Sequence, residues 1–309
     1  MMCEPEISVS FGRYAGSALA FIVVTSWLMA SCTTGDVLLQ PMSSPDVQIR
    51  WLDVSGFRQL VMEKQASSNV DELRVYFAGD GEPWIAGRYP ARNPSTTDEL
   101  AIRLFDIDSS VYSEQSDASD AVIFLGRPCF HSPTVEAECS LELWTTSRYS
   151  EVVVEAMTTS LQSIIATLAP RQVILIGYSG GGTLALLTAS RLNGQVAVVT
   201  IASNLDTHAW TSHHQYLPLH GSLNPADDPK RYASIDQFHL QGGRDTQVPP
   251  PTTSRYLQAL SSDAYNVFDE YDHRCCWDLV WPTVLRTPPW QYPPQVFLKT
   301  LRTQDSATR

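Results

Sequence analysis

The sequence is poor in basic residues and contains no cluster of them. Of its 309 residues, 21 are lysine or arginine and 33 are aspartate or glutamate, so the formal net charge is −12. Binding nucleic acid depends on clustered cations that neutralise phosphates, and this composition therefore disfavours a nucleic-acid partner. The sequence also lacks a C-x-x-C pair, which removes the usual signature of a zinc ribbon. Internal repeats and low-complexity tracts, which would indicate a solenoid or a disordered chain, are lacking as well.

Long apolar runs are lacking everywhere except near the N-terminus, so no other segment predicts a membrane-spanning helix. The stretch GRYAGSALAFIVVTSWLMASC has a basic residue, an apolar run and small residues before Cys32. That order is typical of a secretory signal. The letters MASC at its end resemble a bacterial lipobox, whose cysteine is acylated and becomes the mature N-terminus.

The lipobox resemblance implies a lipoprotein-type signal peptide over residues 1–31, a lipidated Cys32 and a polar tether over residues 32–50. We therefore expect a lipid-anchored protein of the bacterial cell envelope. Outer-membrane sorting is implied because Thr33, and not aspartate, follows the cysteine. Plain secretion is the alternative. Residues 51–309 are expected to form a single domain, because one α/β core can take up roughly 250 residues, and no obligate protein partner is evident.

Apolar strand patterns alternate with helical patterns along this predicted domain. Strands that are apolar throughout and separated by helices predict a mostly parallel sheet, of an eight-stranded type, with helices on both faces. Two antiparallel strands are expected at the start, and a long helix after them is expected to be capped near Ser147. The irregular stretch over about 207–235 is too long for a simple connection and predicts a small cap.

A glycine-rich turn follows the strand predicted at 173–176. The stretch VILIGYSGGGTLALLTA passes from a strand pattern into a helical pattern around Ser179. A dinucleotide site would need G-x-G-x-x-G, which no register supplies, and a phosphate loop would need a lysine, which is absent. The remaining pattern, G-x-S-x-G, predicts a nucleophile elbow, in which a serine occupies a strained turn between small residues.

A serine nucleophile needs a histidine to take its proton and a carboxylate to orient that histidine. After an elbow of this kind, the chain order is serine, acid, histidine. Asp245 lies in a glycine-rich loop just past a predicted strand, and His273 lies at the end of the last one. Asp206 is the nearest rival for the acid, and His239 is one rival for the base.

The tetrahedral intermediate of acyl transfer needs backbone N–H donors around its oxyanion. The N–H of Gly180, directly after the nucleophile, predicts one donor, and Asp80 or Gly81 in the loop YFAGDGEPW predicts the other. Such a mechanism needs no metal and no organic cofactor. The close spacing of four histidines leaves a metal site in the cap as an alternative, although acids at a helical spacing are missing; these are His208, His213, His214 and His220.

The four cysteines that follow Cys32 fall into two pairs. Cys129 and Cys139 flank a short loop and could close it as a disulfide in an oxidising compartment, with two unpaired thiols as the alternative. Cys275 and Cys276 are adjacent, and for them two independent thiols are favoured over a vicinal disulfide.

The chain resembles the α/β-hydrolase superfamily over most of the predicted domain. More narrowly, YFAGDGEPW, GRPCF, SRYS, GYSGGG and GGRDTQVPP are similar to motifs of poorly characterised bacterial α/β-hydrolase lipoproteins. The resemblance implies the α/β-hydrolase fold, with Ser179 as nucleophile, Asp245 as acid and His273 as base. It also supports the pairing of Cys129 with Cys139.

The function expected on these grounds is that of a serine hydrolase which cleaves a carboxylic ester of a small acyl substrate through an acyl-enzyme. An amide, a peptide or a thioester is the alternative bond within the same class. A catalytically silent, hydrolase-like envelope lipoprotein that acts by binding is the alternative from another class.

Overall fold

The structure, a computed structural model, describes residues 46–64, 70–114, 119–132, 136–260, 265–286 and 288–289. The predicted signal peptide, Cys32 and most of the predicted tether lie outside these ranges. None of the helices within them has the length and apolar character needed to cross a bilayer. The first strand begins at Gln48, inside the predicted tether.

Ten strands lie in the described ranges: β1 (Gln48–Val54), β2 (Phe57–Lys64), β3 (Glu72–Phe77), β4 (Trp84–Ile85), β5 (Tyr89–Pro90), β6 (Ala121–Leu125), β7 (Gln172–Tyr178), β8 (Gln195–Ile201), β9 (Asp236–Gly242) and β10 (Tyr265–Phe268). The short β4 and β5 pair only with each other. The other eight form one sheet in the order β1-β2-β6-β3-β7-β8-β9-β10. β2 runs antiparallel to β1 and β6, and all other neighbours are parallel, which confirms the predicted sheet.

Helices cover both faces of this sheet, as the sequence predicted. They are α1 (Leu100–Glu114), α2 (Glu151–Leu168), α3 (Gly180–Ala189), α4 (Thr207–His214), α5 (Ser254–Gln258) and α6 (Trp277–Arg286). Helices α2, α3 and α5 share a core with one face, and α1 and α6 share a core with the other. Burial on both faces explains why the central strands are apolar throughout.

The start of α2 differs from the prediction. The N-cap is Ser150, whose Oγ accepts a hydrogen bond from the backbone N–H of Val153 at 3.5 Å. Ser147 lies in the turn before the helix, and its backbone oxygen accepts a hydrogen bond from the N–H of Ser150 at 2.9 Å. A local sequence pattern could not separate these two serines, because both are good cap residues followed by an apolar periodic stretch.

A cluster of charged and polar side chains, here called the Asp108 cluster, lies between β3 and α1. It consists of Asp108, Arg74 and Tyr76. Arg74 donates to Asp108 at 2.8 and 3.1 Å, and the Tyr76 hydroxyl donates to the same carboxylate at 2.7 Å. The Asp108 carboxylate is thus buried with its lone pairs satisfied, which keeps the desolvation cost of the charge small.

The structure pairs the four cysteines in its described ranges. Cys129 and Cys139 form a disulfide with an S–S distance of 2.04 Å, the pairing that the sequence motifs support. The structure also pairs Cys275 with Cys276 across a cis peptide bond. The sequence favoured independent thiols there, since ordinary side-chain geometry separates neighbouring sulfur atoms along an extended backbone.

Two buried histidines should make stability depend on pH. Burial lowers the pKa of His239 to about 3, and burial together with the Arg127 guanidinium lowers the pKa of His131 to about 4. Both are neutral in the folded protein, whereas in the unfolded chain they take up protons below about pH 6.5. Their contribution to stability is full above that pH and falls as the pH drops toward the folded pKa, by about 1.4 kcal/mol per histidine per pH unit.

Urea unfolding from about pH 7 down to pH 5 would measure this slope. Neither ring nitrogen of His131 has a hydrogen-bond partner among the described residues, and the side chain packs near Phe124 and Phe130. His131→Phe should therefore fold and show a smaller slope. An unchanged slope in this variant would contradict the assignment of the pH dependence to His131.

Candidate active site

Ser179 lies in a strained turn between β7 and α3. Its backbone dihedrals are φ 53° and ψ −125°, in a region that residues with a side chain rarely occupy. The turn is held because the N–H of Ser179 donates to Ile201 O at 2.9 Å and the N–H of Gly182 donates to Ser179 O at 3.1 Å. This geometry is that of a nucleophile elbow, which presents a serine hydroxyl at the carboxyl end of the sheet.

The glycines around Ser179 are required by close packing. A Cβ on Gly177 would collide with the backbone of Gly181, on the first turn of α3. A Cβ on Gly181 would in turn collide with the carbonyl oxygens of Phe77 and Ala78 at the end of β3. The glycine run therefore lets a strand, a turn and a helix approach one another at the site where the serine is exposed.

His273 joins Ser179 to Asp245 in one hydrogen-bonded chain. Its Nδ1 lies 2.8 Å from Asp245 Oδ2, and its Nε2 lies 3.1 Å from Ser179 Oγ. An ionised carboxylate only accepts hydrogen bonds, so Nδ1 carries the hydrogen and Nε2 is free to accept from the serine hydroxyl. The side chains of His273 and Asp245 are 8 % and 0 % exposed, which shields this chain from competing water.

The loop after β9 fixes the Asp245 carboxylate. Oδ1 accepts from the backbone N–H of Gln247 at 2.8 Å and from that of Val248 at 2.7 Å, which leaves Oδ2 for the histidine. The cap reaches the same loop, because Trp210 Nε1 donates to Gln247 O at 2.6 Å and His214 Nε2 lies 2.9 Å from that oxygen. The orientation of the acid is therefore determined by its own loop and supported by the cap.

Asp206, the rival acid, is engaged elsewhere. Arg255 donates to its carboxylate at 2.6 and 3.1 Å, and Oδ1 also accepts from the N–H of Ala209, so that Asp206 caps α4. Burial alone would raise the pKa of Asp206, but the hydrogen bond and charge of Arg255 lower it. His239, a rival base, lies inside β9 with its Nδ1 2.8 Å from Thr200 Oγ1.

Of the four histidines in the stretch predicted as a cap, only His213 and His214 have their rings in contact within the described residues, with centroids 4.8 Å apart. His208 Nδ1 lies 3.6 Å from Asp227 Oδ1, and His214 stacks on Tyr216. In the described part of the chain, no group of three metal-ligating side chains includes a histidine. Their close spacing in the sequence suggested a metal site as an alternative. In the described structure, no three of these side chains meet at one point where they could bind a metal ion.

Three backbone N–H groups near Ser179 are candidates for the oxyanion hole. Within the described ranges, no hydrogen-bond partner is recorded for the N–H of Gly180, Asp80 or Gly81. Gly180 is the first residue of α3, where N–H groups have no partner inside the helix. The loop with Asp80 and Gly81 follows β3, the strand beside β7, so the sheet brings the predicted donors to the same edge as Ser179.

The Asp80 carboxylate is held by residues whose role the sequence did not reveal. Arg127 Nη1 donates to Oδ1 at 2.6 Å, while Arg148 Nη1 and the Tyr149 hydroxyl donate to Oδ2 at 3.0 and 2.6 Å. Burial would raise the pKa of Asp80, but the charges of Arg148 and Arg127 outweigh it and lower this pKa to about 2. We call these four residues the Asp80 cluster. The only sequence signal was their presence in the motifs GDG, GRPCF and SRYS.

A cavity of about 650 Å³ opens beside Ser179 and His273. Apolar and aromatic side chains from the β4–β5 hairpin and the cap contribute to its lining: Trp84, Trp210, Tyr216 and Leu217. Arg88 and Arg274 line it as well. The volume is within the range of small-molecule sites, and the lining combines apolar side chains with many polar and charged ones.

Comparisons with known proteins show the fold. No protein-family model matches the sequence, and no curated protein matches it either. A cold-adapted esterase from an Arctic intertidal metagenomic library is similar in structure, with a TM-score of 0.52, 12 % identity, and coverage of 79 % of this chain and 94 % of that chain. An α/β serine hydrolase homologue from Coxiella burnetii has a TM-score of 0.50, 10 % identity, and coverage of 78 % and 97 %.

A puromycin hydrolase is also similar, with a TM-score of 0.51, 15 % identity, and coverage of 85 % of this chain and 40 % of that chain. Together with the strand order, these likenesses confirm the predicted α/β-hydrolase fold. At such identities they carry the fold alone, because unrelated activities share one fold and differ in their sites.

Proposed function

We propose that this protein is a serine hydrolase that cleaves carboxylic esters through an acyl-enzyme. The observation that carries the proposal is the hydrogen-bonded chain from Ser179 through His273 to Asp245 at the mouth of a cavity. Nucleophile, base and orienting acid stand in reach of one another, which is the geometric requirement for this chemistry.

The reaction begins when Ser179 Oγ attacks the substrate carbonyl and passes its proton to His273 Nε2. Asp245 stabilises the imidazolium that forms, through Nδ1. The negative charge on the former carbonyl oxygen is stabilised by the N–H of Gly180 and by an N–H of the loop after β3. His273 then protonates the leaving alcohol, the acyl-enzyme forms, and a water activated by the same nitrogen releases the acid.

An ester is proposed over an amide because of the leaving group. An alkoxide is a better leaving group than an amine anion, so cleavage of an ester depends less than cleavage of an amide on the proton that His273 delivers. The fold does not select between these bonds, since proteins named as an esterase and as a puromycin hydrolase share it. The cavity lining supports a small acyl substrate with an apolar portion, because aromatic and aliphatic side chains lie near the serine.

A matched substrate panel tests the bond preference. The full chain is assayed with the butyryl ester of p-nitrophenol, the butyryl thioester of a nitrothiophenol and the butyryl amide of p-nitroaniline. We expect kcat/KM for the ester to exceed that for the anilide by about 100-fold or more, because p-nitrophenolate leaves without a proton whereas the anilide nitrogen needs one. An anilide as fast as the ester would shift the assignment to amide hydrolysis.

The same preparation is treated with a fluorophosphonate probe. One probe per chain is expected, because the activated serine attacks phosphorus as it would attack a carbonyl. A protein that neither turns over the panel nor reacts with the probe would be a silent binder, and the proposed function would be wrong.

A further inference from the structure

Three sequence motifs meet at one carboxylate that the proposed mechanism does not use. Asp80 comes from the loop after β3, Arg127 from the segment after β6, and Arg148 and Tyr149 from the turn before α2. The side chains of Arg127 and Arg148 are 1 % and 5 % exposed, while that of Asp80 is 16 % exposed. Burying two guanidinium groups costs free energy, so their convergence on a single loop needs a reason.

The bonds of Arg127 determine how the loop is oriented. Besides the Asp80 carboxylate, Arg127 Nη1 donates to the carbonyl oxygen of Gly79 at 3.0 Å. That carbonyl and the N–H of Asp80 belong to one planar trans peptide unit and point in opposite directions. Holding Gly79 O toward Arg127 therefore turns the Asp80 N–H away from the cluster, and in the described part of the chain this N–H has no partner.

The rest of the loop is held on either side of this peptide. The N–H of Gly79 donates to Glu99 Oε1 at 3.2 Å, and the N–H of Glu82 donates to Pro94 O at 2.7 Å. The N–H groups of Gly79 and Glu82 are thus satisfied by neighbours, while those of Asp80 and Gly81 between them have no partner in the described part of the chain. Such a loop presents a donor that needs no rearrangement when charge develops on a substrate oxygen.

The Asp80 cluster also packs on the other predicted donor. A Cβ on Gly180 would collide with Asp80 Oδ1 and would lie 2.6 Å from the Tyr149 hydroxyl oxygen. The residue that follows the nucleophile therefore lies directly against the carboxylate and the phenol. Both donor residues are in this way in contact with one rigid group of side chains.

The cluster combines two guanidinium groups with one carboxylate. Arg127 and Arg148 offset the negative charge of Asp80, whose Oδ1 lies against Gly180, so this carboxylate opposes an oxyanion less than an unpaired one would.

We propose that Arg127, Arg148 and Tyr149 are positioning residues: through Asp80, they hold its backbone N–H beside that of Gly180 as the second oxyanion donor. This role rests on the proposed serine hydrolase function. It gives the motifs GRPCF and SRYS a structural role, and it names Asp80 as the donor because Arg127 holds the peptide unit that carries the Asp80 N–H.

Tyr149→Phe with Tyr76→Phe as its control tests the role in turnover. Each tyrosine donates to an aspartate that also bonds arginine, at 2.6 and 2.7 Å, but Tyr76 belongs to the Asp108 cluster and does not line the cavity beside Ser179. We expect kcat to fall roughly 10-fold or more in Tyr149→Phe with KM within about twofold, because a misplaced donor weakens binding of the transition state alone. Affinity for a butyl trifluoromethyl ketone, whose adduct carries an oxyanion, should fall by the same factor.

Tyr76→Phe should lower the melting temperature without changing kcat or ketone affinity. Equal kinetic effects in the two variants, or a Tyr149→Phe effect confined to KM or stability, would overturn the positioning role. The test of bond cleavage by the wild-type protein is separate, since a wild type without turnover would contradict the proposed function itself.

Hydrogen exchange tests the positioning without any substrate. Arg127→Met is compared with Arg74→Met, which removes the arginine of the Asp108 cluster. The amide protons of Gly79 and Glu82 should exchange about 10-fold faster or more in Arg127→Met and at the wild-type rate in Arg74→Met. The reason is that, of these two arginines, Arg127 bonds the loop with Asp80 and Arg74 bonds Asp108. Arg127→Lys should recover part of the protection. Unchanged exchange in Arg127→Met would overturn the proposal even if the protein is an active hydrolase.

Discussion

Ser179→Ala should reduce kcat for ester hydrolysis by roughly 10⁶-fold, to the level supported by binding and the oxyanion donors alone. The reason is that no other nucleophile replaces the hydroxyl that lies 3.1 Å from His273 Nε2. The backbone should survive the change, because the elbow is held by hydrogen bonds of the main chain. Initial rates with the p-nitrophenyl ester and probe labelling both measure the loss.

The matched control for this variant is Ser190→Ala, at the other end of α3. The Ser190 hydroxyl donates to Leu187 O at 2.8 Å and lies outside the cavity lining. This variant should keep wild-type turnover and full labelling. Labelling of Ser179→Ala equal to that of the wild type would show that another residue is the nucleophile.

Asp245→Asn should lower kcat by about 10⁴-fold with little loss of stability. The Asn side-chain oxygen can still accept from the N–H groups of Gln247 and Val248, as Asp245 Oδ1 does. Its NH₂ group would then face His273 Nδ1, which must become an acceptor, so that Nε2 carries the proton and cannot take one from Ser179. Turnover of the ester and urea unfolding measure the two effects.

Asp206→Asn is the informative counterpart, because Asp206 was the other sequence candidate for the acid. Its carboxylate bonds Arg255 and caps α4, away from the histidine. This variant should lose about 1–3 kcal/mol of stability through the weakened hydrogen bonds and retain most of kcat. If Asp206→Asn lost turnover and Asp245→Asn did not, the acid would have to be reassigned.

Much of the candidate site could be predicted from the sequence because its parts are tied to local patterns. A serine between glycines at a strand-to-helix junction determines where the nucleophile stands in the chain. An acid just after one strand and a histidine after a later one must lie at the same sheet edge, since parallel strands end together. The hydrogen-bonded chain in the structure places Ser179, Asp245 and His273 in that arrangement.

Other features depended on the packing of distant segments. Asp206 and Asp245 both follow buried strands, so the sequence does not distinguish them as the acid. In the structure, the Asp206 carboxylate binds the side chain of Arg255, which lies 49 residues along the chain. The motifs GRPCF and SRYS could be recognised in the sequence, but the sequence did not indicate what their side chains bind. Their side chains meet Asp80 across separations of 47, 68 and 69 residues, which no local period encodes.

The sequence by itself determined the order of strands and helices, the elbow and the set of candidate residues. It could do so because burial on two faces and strained turns leave a record in adjacent residues. The tertiary structure alone decided which carboxylate meets His273 and that two buried arginines hold the loop with Asp80. Those choices are made by distances between side chains far apart in the chain, and such distances exist only after the sheet has brought the ends of its strands together.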